Sequence, residues 1–335
     1  MLLLSACTGI SGGLSAAAGT APQPATAAAL PARSSSYFLA RGEVQSFLRE
    51  MRSKHQFEAA ALDSWFSGLE PDALVLERMQ RPAEKVLAWH EYRKLFISQR
   101  RIDAGKRYLQ EHRDLFSKAE AEFGVPASII AAIIGIETFY GQYKGKHLAL
   151  PTLATLAFDY PPRASFFRSE LEQFMLLARE EKFDPLAIKG SYAAAMGLPQ
   201  FISSSYRRYA IDFDNDGQRD LWGSHADVIG SVANYLAEHG WRQGEPVAER
   251  VYPETVTWRQ LKRDTLRHEI TAAQIRDAGL STRGRSDAKR SVFELRAATT
   301  TEAWVGYRNF YVITRYNHSR LYAMAVLEFS HALDS

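Results

Sequence analysis

Cysteine is nearly missing from this chain. Cys7 is the only one in 335 residues, so no internal disulfide can form. Long apolar runs are missing too. A bilayer span needs roughly 20 apolar residues, and the most apolar stretch, Val125 to Ile136, falls well short of that. Any membrane attachment would therefore come from a lipid. Charge bias is also weak: 41 Lys and Arg against 38 Asp and Glu give +3, with both signs scattered. Such a surface has no strong pull on polyanions. The basic clusters Gln99 to Arg107 and Trp258 to Arg267 read as solvated helix faces, and no nucleic-acid motif accompanies them, so no nucleic-acid partner is expected. The leader is poorest of all. From Thr8 to Ser36 the residues are mostly Ala, Gly, Ser, Thr and Pro with Arg33 as the sole charge, a composition that cannot repay the entropy of ordering and reads as a tether.

What the chain does have is enough apolar material, 46%, for a large core spread over two or three subdomains. Its most informative stretch is GVPASIIAAIIGIETFYG, Gly124 to Gly141. Pro126 suits a first helical turn and Gly141 can close the helix in a left-handed conformation. Glu137 shares one face of that helix with Ile130, Ile133 and Ile134, at spacings of seven, four and three. A carboxyl on so dry a face is disfavoured in its charged form. Its pKa should rise from a reference of about 4.3 towards the range of a proton donor. The competing reading is a boundary glutamate paired with Arg or Lys.

Around this helix, Tyr37 to Lys118 shows helical spacing (Val44, Phe47, Leu48, Met51) and is expected to form a helical subdomain, with Pro82 opening one of its helices. Residues 119–244 hold the motifs with chemical meaning, with further helices over Phe166 to Glu181 and Val228 to Glu238. Within 245–310, Val251 to Val256 and Val292 to Leu295 read as strands and Leu261 to Ala278 as a helix, a small β-containing subdomain. Residues 311–335 hold a further strand-like stretch, Tyr311 to Thr314, and an apolar-faced helix, Arg320 to Ala332, that returns to the core. The fold class is mainly α with a minor β component.

Seven ordered blocks, YRKLFI, IIGIETFYG, FDYPPRASFF, KGSYAAAMGLPQF, SSYRRYAIDFDNDG, IGSVANYLAEHGW and YVITRYNHSRLYAMAV, resemble the membrane-bound lytic murein transglycosylase B family from Tyr92 to Tyr322. The resemblance implies a lysozyme-like catalytic core with Glu137 as single acid and base. The implied reaction is cleavage of the β-1,4 bond between N-acetylmuramic acid and N-acetylglucosamine in peptidoglycan, leaving 1,6-anhydromuramic ends. The rival from another class is a murein-binding scaffold without turnover; a nearer rival is a hydrolase in which Asp159 or Asp184 activates water. A glycan groove needs flat aromatics and side-chain amides or hydroxyls. By resemblance these are Tyr92, Ser191, Gln200, Tyr235, Tyr316, Asn317 and Tyr322, with Arg163 and Phe201. The chain departs from the family twice: Pro162-Arg163 stands where two arginines are common, and Leu198-Pro199 stands where Tyr-Gly is common.

The loop Asp212-Phe213-Asp214-Asn215-Asp216-Gly217 puts carboxylates at EF-hand positions 1, 3 and 5 and glycine at 6. Position 12 is Gly223, and the next acid is Asp227. A solvated acidic turn is the metal-free alternative; all-oxygen ligands disfavour zinc. In the resembled family a later aspartate closes the site, which implies structural Ca2+ held by Asp212, Asp214, Asp216, the Gln218 carbonyl and Asp227, with Asp220 acting through water. Leu4-Ser5-Ala6-Cys7 is similar to a bacterial lipobox, although the residues before it lack a basic n-region. A lipidated Cys7 would place the protein in the periplasm, anchored to the outer membrane. Its partners would be peptidoglycan glycan strands and cell-wall synthesis or division complexes.

Overall fold

The computed structural model describes residues 37–79, 87–263, 265–283 and 288–335. Cys7, the tether and Pro82 lie outside the described residues. The chain divides into two compact units, one ending at Pro71 and one running from Asp72 to Ser335. In the first, helices Gly42–His55 and Ala59–Phe66 turn their apolar side chains inward, with Val44, Leu48, Met51, Leu62 and Phe66 buried.

The second unit is built around helix Ala127–Thr138, which is buried at every position from Ser128 to Thr138. A helix apolar on all sides must be covered on all sides. The cover comes from helices Gln99–Glu111, Arg113–Phe123, His225–Glu238 and Arg320–Asp334. Gly135 makes the closest approach feasible, since a Cβ there would stand 2.5 Å from the Tyr140 hydroxyl and 2.8 Å from the Phe329 ring. Among the described residues no single helix is long and apolar enough to cross a membrane.

Helices Ala149–Asp159 and Ala164–Glu180 pack against each other beside the two-stranded antiparallel pair His147–Leu148 and Lys189–Gly190. A three-stranded antiparallel sheet has Thr301–Gly306 at its centre, flanked by Ala248–Val251 and Ser291–Arg296, with Val292 opposite Val305. The sheet has a small core of its own that includes Val251, Trp258, Ile275, Val292 and Val305.

Four local expectations need correction. Tyr311 to Thr314 is not a strand but part of helix Arg308–Tyr316. Four residues are too few to show a 3.6 period, whereas the wider segment does show it: Arg308, Tyr311 and Arg315 stay partly exposed while Phe310, Ile313 and Tyr316 are buried. Leu261 to Ala278 is helical only at its ends, as a 3-10 turn Thr257–Leu261 and helix Ala272–Asp277. Thr271 sets the start of the latter, its side chain accepting the Gln274 N–H while Gln274 reaches back to the Thr271 backbone. The strand expected over Val251 to Val256 is instead Ala248–Val251; Pro253, which has no N–H to offer a ladder, follows two residues later. Finally, the central helix closes before Gly141. Phe139 already stands at φ 50°, followed by Tyr140 at 56° and Gly141 at 89°.

Candidate active site

Glu137 sits in the last turn of the central helix and is 8% exposed, against Ile130, Ile133 and Ile134 at 0%. The dry face expected from the spacing is therefore present. The Tyr322 hydroxyl, carried by helix Arg320–Asp334, donates to Glu137 Oε1 at 2.6 Å. Burial and the neighbouring Glu137 push the Tyr322 and Tyr316 hydroxyls well above the ordinary tyrosine range, so both remain protonated.

Tyr322 begins a wall of packed rings. Tyr316 lies nearly parallel to it at 6.4 Å, Tyr235 meets Tyr316 edge-on at 4.8 Å, and Phe201 packs on both at 5.5 and 5.8 Å. These rings are almost fully buried, and their hydroxyls serve the protein: Tyr235 donates to the Arg315 carbonyl at 2.7 Å and Tyr316 to the Pro199 carbonyl at 2.6 Å. Their first task is thus to hold backbone in place. Tyr92 is also fully buried, against Phe96 at 5.2 Å, and Asn317 is 3% exposed.

Ser191 and Gln200 come from the segment following strand Lys189–Gly190. The Ser191 hydroxyl oxygen accepts the Ala193 and Ala195 N–H groups at 3.2 and 3.1 Å, fixing a tight turn, while its own hydrogen remains to be directed elsewhere. Gln200 is held at φ 53° with its amide nitrogen donating to the Gly197 carbonyl at 2.8 Å, which leaves its side-chain oxygen as an acceptor. Arg163 ends the turn Pro161–Arg163 and stacks over Phe166 at 4.1 Å. Desolvation depresses its pKa from the ordinary arginine value.

The acidic loop lies between helices Ser203–Tyr209 and His225–Glu238. Carboxylate oxygens of Asp212, Asp214 and Asp227 converge within 4.8 Å of one another. Asp212 accepts the Asp216 and Gly217 N–H groups at 3.0 and 2.8 Å, and Asp216 accepts the Gln218 N–H at 2.8 Å. Gly217 stands at φ 91°, a conformation that suits the glycine expected at the sixth position. Asp227 is fully buried and ties both ends of the loop, Oδ1 accepting the Phe213 N–H and Oδ2 the Asp220 N–H, each at 2.7 Å. Desolvation, with Asp214 and Asp212 adding to it, raises its pKa to about 6 against the pull of those two hydrogen bonds. An all-oxygen donor set closing on a buried carboxylate fits a hard divalent cation.

Sequence reasoning overlooked Thr138. Its hydroxyl donates to the Leu198 carbonyl at 2.9 Å and accepts the Gly141 N–H at 3.1 Å. A hydroxyl residue beside a helix-terminal acid is the signal that could have exposed it.

A buried, tyrosine-bonded glutamate at the end of a buried helix, packed beside a cluster of aromatic rings, is a candidate general acid in a mainly helical fold. Comparison with known proteins narrows the class. Residues 40–331 match the family described as Transglycosylase SLT domain. Membrane-bound lytic murein transglycosylase B of Escherichia coli (strain K12) is 39% identical over 300 residues, covering 86% of this chain and 82% of that protein. The crystal structure of soluble lytic transglycosylase SltB1 from Pseudomonas aeruginosa superposes with a TM-score of 0.83 at 43% identity, covering 87% and 98% of the two chains. That of the Escherichia coli lytic transglycosylase Slt35 in complex with calcium gives 0.81 at 39% identity, covering 89% and 94%. The chain belongs to the transglycosylase SLT domain family, and its activity is peptidoglycan cleavage by transglycosylation.

Proposed function

We propose that Glu137 alone performs both proton transfers of this reaction; the observation that carries the reading is its buried carboxyl, held by the Tyr322 hydroxyl at 2.6 Å. Glu137 protonates the glycosidic oxygen as the bond from the anomeric carbon of N-acetylmuramic acid to that oxygen breaks. The carboxylate then takes the proton of that sugar's own C6 hydroxyl, whose oxygen bonds to the anomeric carbon. Water takes no part. The substrate acetamido oxygen relieves the oxocarbenium-like charge, with Ser191 or Asn317 orienting it. Tyr92, Arg163, Gln200, Phe201, Tyr235, Tyr316 and Tyr322 complete the groove. The product carries a 1,6-anhydromuramic end, lighter by one water than a hydrolytic product. Mass spectrometry of muropeptides from digested sacculi is expected to show that end; hydrated reducing ends would instead make the enzyme a hydrolase.

The acidic loop in this reading holds structural calcium through Asp212, Asp214, Asp216, the Gln218 carbonyl and Asp227, with Asp220 acting through water. Calcium in the Slt35 structure and the convergence of three of these carboxylates support it. For location, similarity to a membrane-bound lytic murein transglycosylase supports an anchored, periplasmic protein, and a lipidated Cys7 supplies the finer account. A single acyl chain binds membranes marginally, so a stable anchor needs more than one. In a bacterial host, with a complete signal preceding the lipobox-like tetrapeptide, mass spectrometry of the mature N-terminus is expected to find Cys7 first and acylated; an unmodified Cys7 would exclude the anchor.

A further inference from the structure

We infer that Thr138 is a positioning residue for the reaction: its buried hydroxyl pins the end of the Glu137 helix to the Leu198–Gln200 turn and so fixes where the acid meets the glycan. The assignment rests on the proposed role of Glu137.

Thr138 is the last residue of the helix, and the helix stops abruptly. Phe139, Tyr140 and Gly141 all have positive φ, and the first two carry a Cβ that opposes that conformation. A strained run of this kind persists only where its surroundings over-determine it. Thr138, 1% exposed, supplies much of that determination. Its carbonyl accepts the Tyr143 N–H at 2.9 Å, and its hydroxyl oxygen accepts the Gly141 N–H at 3.1 Å. The single hydroxyl hydrogen can go to the Leu198 carbonyl at 2.9 Å or the Ile134 carbonyl at 3.4 Å, and the shorter contact reaches out of the helix.

Leu198 is a fixed partner. Its N–H donates to the Leu221 carbonyl at 2.8 Å, and the next carbonyl, that of Pro199, is held by the Tyr316 hydroxyl at 2.6 Å. Gln200 then follows in its own left-handed conformation. One turn is therefore clamped by the residue beside the acid on one side and by the tyrosine wall on the other. The Thr138 hydroxyl is the described hydrogen bond that joins the Glu137 helix directly to this turn. Without it, the Leu198 carbonyl and Gly141 N–H lose a buried partner and the strained helix end can relax. Displacement of a reacting group by about 1 Å can cost on the order of 100-fold in rate.

The test compares wild type with Thr138→Val, Thr138→Ser and Glu137→Gln on soluble glycan strands, measuring kcat, KM and the melting midpoint. Thr138→Val, which keeps shape and loses the hydroxyl, is expected to lower kcat by roughly 10- to 100-fold while KM stays within about twofold. Thr138→Ser restores the hydroxyl and should recover most of kcat despite its missing methyl. A role in packing alone would lower the midpoint in both variants and leave the kcat of folded molecules unchanged. Thr138→Ala replaces the valine variant if that protein does not fold. Wild-type kcat without the hydroxyl, or equal losses in the serine and valine variants, would overturn the assignment. An active Glu137→Gln would instead overturn the reading of Glu137, and with it the assignment that rests on that reading.

Discussion

Glu137→Gln is expected to abolish release of soluble muropeptides from sacculi, with kcat reduced by about 10²- to 10⁴-fold, the span associated with loss of a positioned general acid or base. The upper end applies if one group serves both transfers, because the amide can neither give the proton to the leaving oxygen nor take one from the C6 hydroxyl. The fold should survive. Glutamine matches the shape of the acid, and its carbonyl oxygen can still accept the Tyr322 hydroxyl that now reaches Glu137 Oε1 at 2.6 Å. The melting midpoint and the circular dichroism spectrum are the controls. Retained activity with an intact spectrum would remove Glu137 from the chemistry.

Tyr322 shows what lay beyond the sequence. The central helix and its acid were legible because burial on all sides leaves an uninterrupted apolar run, in which one carboxylate is conspicuous. The hydroxyl that bonds it comes from a residue 185 positions away. Spacing within a helix says nothing about such docking, and Tyr322 could be named as a groove residue only by resemblance to a family. The same holds for the ring contacts among Phe201, Tyr235 and Tyr316: each ring taken alone reads as core, and core is where the structure puts most of its surface. The acidic loop was more local and so more readable. Its one irregularity, the distance to Asp227, follows from helix His225–Glu238: Ser224 caps it, accepting the Asp227 N–H, and Asp227 in the first turn is aimed back at the loop. Expectations failed where windows were short, as at Tyr311 to Thr314, and at the end of the central helix. There the sequence offered Gly141 as the natural left-handed residue, yet Phe139 and Tyr140 take that conformation first. Tertiary bonds from Thr138 and the Tyr140 ring seated between Gly105 and Gly135 outweigh the local preference.

Removing calcium is expected to lower the melting midpoint, and the size of the drop should depend on pH in a direction set by Asp227. A metal that binds the native state alone adds about 2.7 kcal/mol of stability at one hundred times its dissociation constant. For a chain of this size that corresponds to a midpoint shift of about 4 °C. The apo protein carries Asp212, Asp214 and a buried Asp227 whose oxygens lie within 4.8 Å of one another. The burial of Asp227, with repulsion from Asp214 and Asp212 adding to it, raises its folded pKa to about 6 from an ordinary value near 3.8. A raised carboxyl pKa means that the folded apo state binds the proton more tightly than the unfolded state. That stabilising contribution is present at low pH and is lost as pH rises through about 6. Above that pH, ionised Asp227 is a liability that a cation offsets. Below it, the proton competes with the cation for the same oxygens. Melts with calcium and with chelator should therefore separate most at pH 7 to 8 and converge towards pH 5. Asp227→Ala should remove the calcium response at every pH, and it should also lower the apo midpoint, because the Phe213 and Asp220 N–H groups lose the carboxylate that joins both ends of the loop to the helix. Coincident melts with calcium and chelator at pH 8 would show the loop to be a hydrogen-bonded turn that needs no metal.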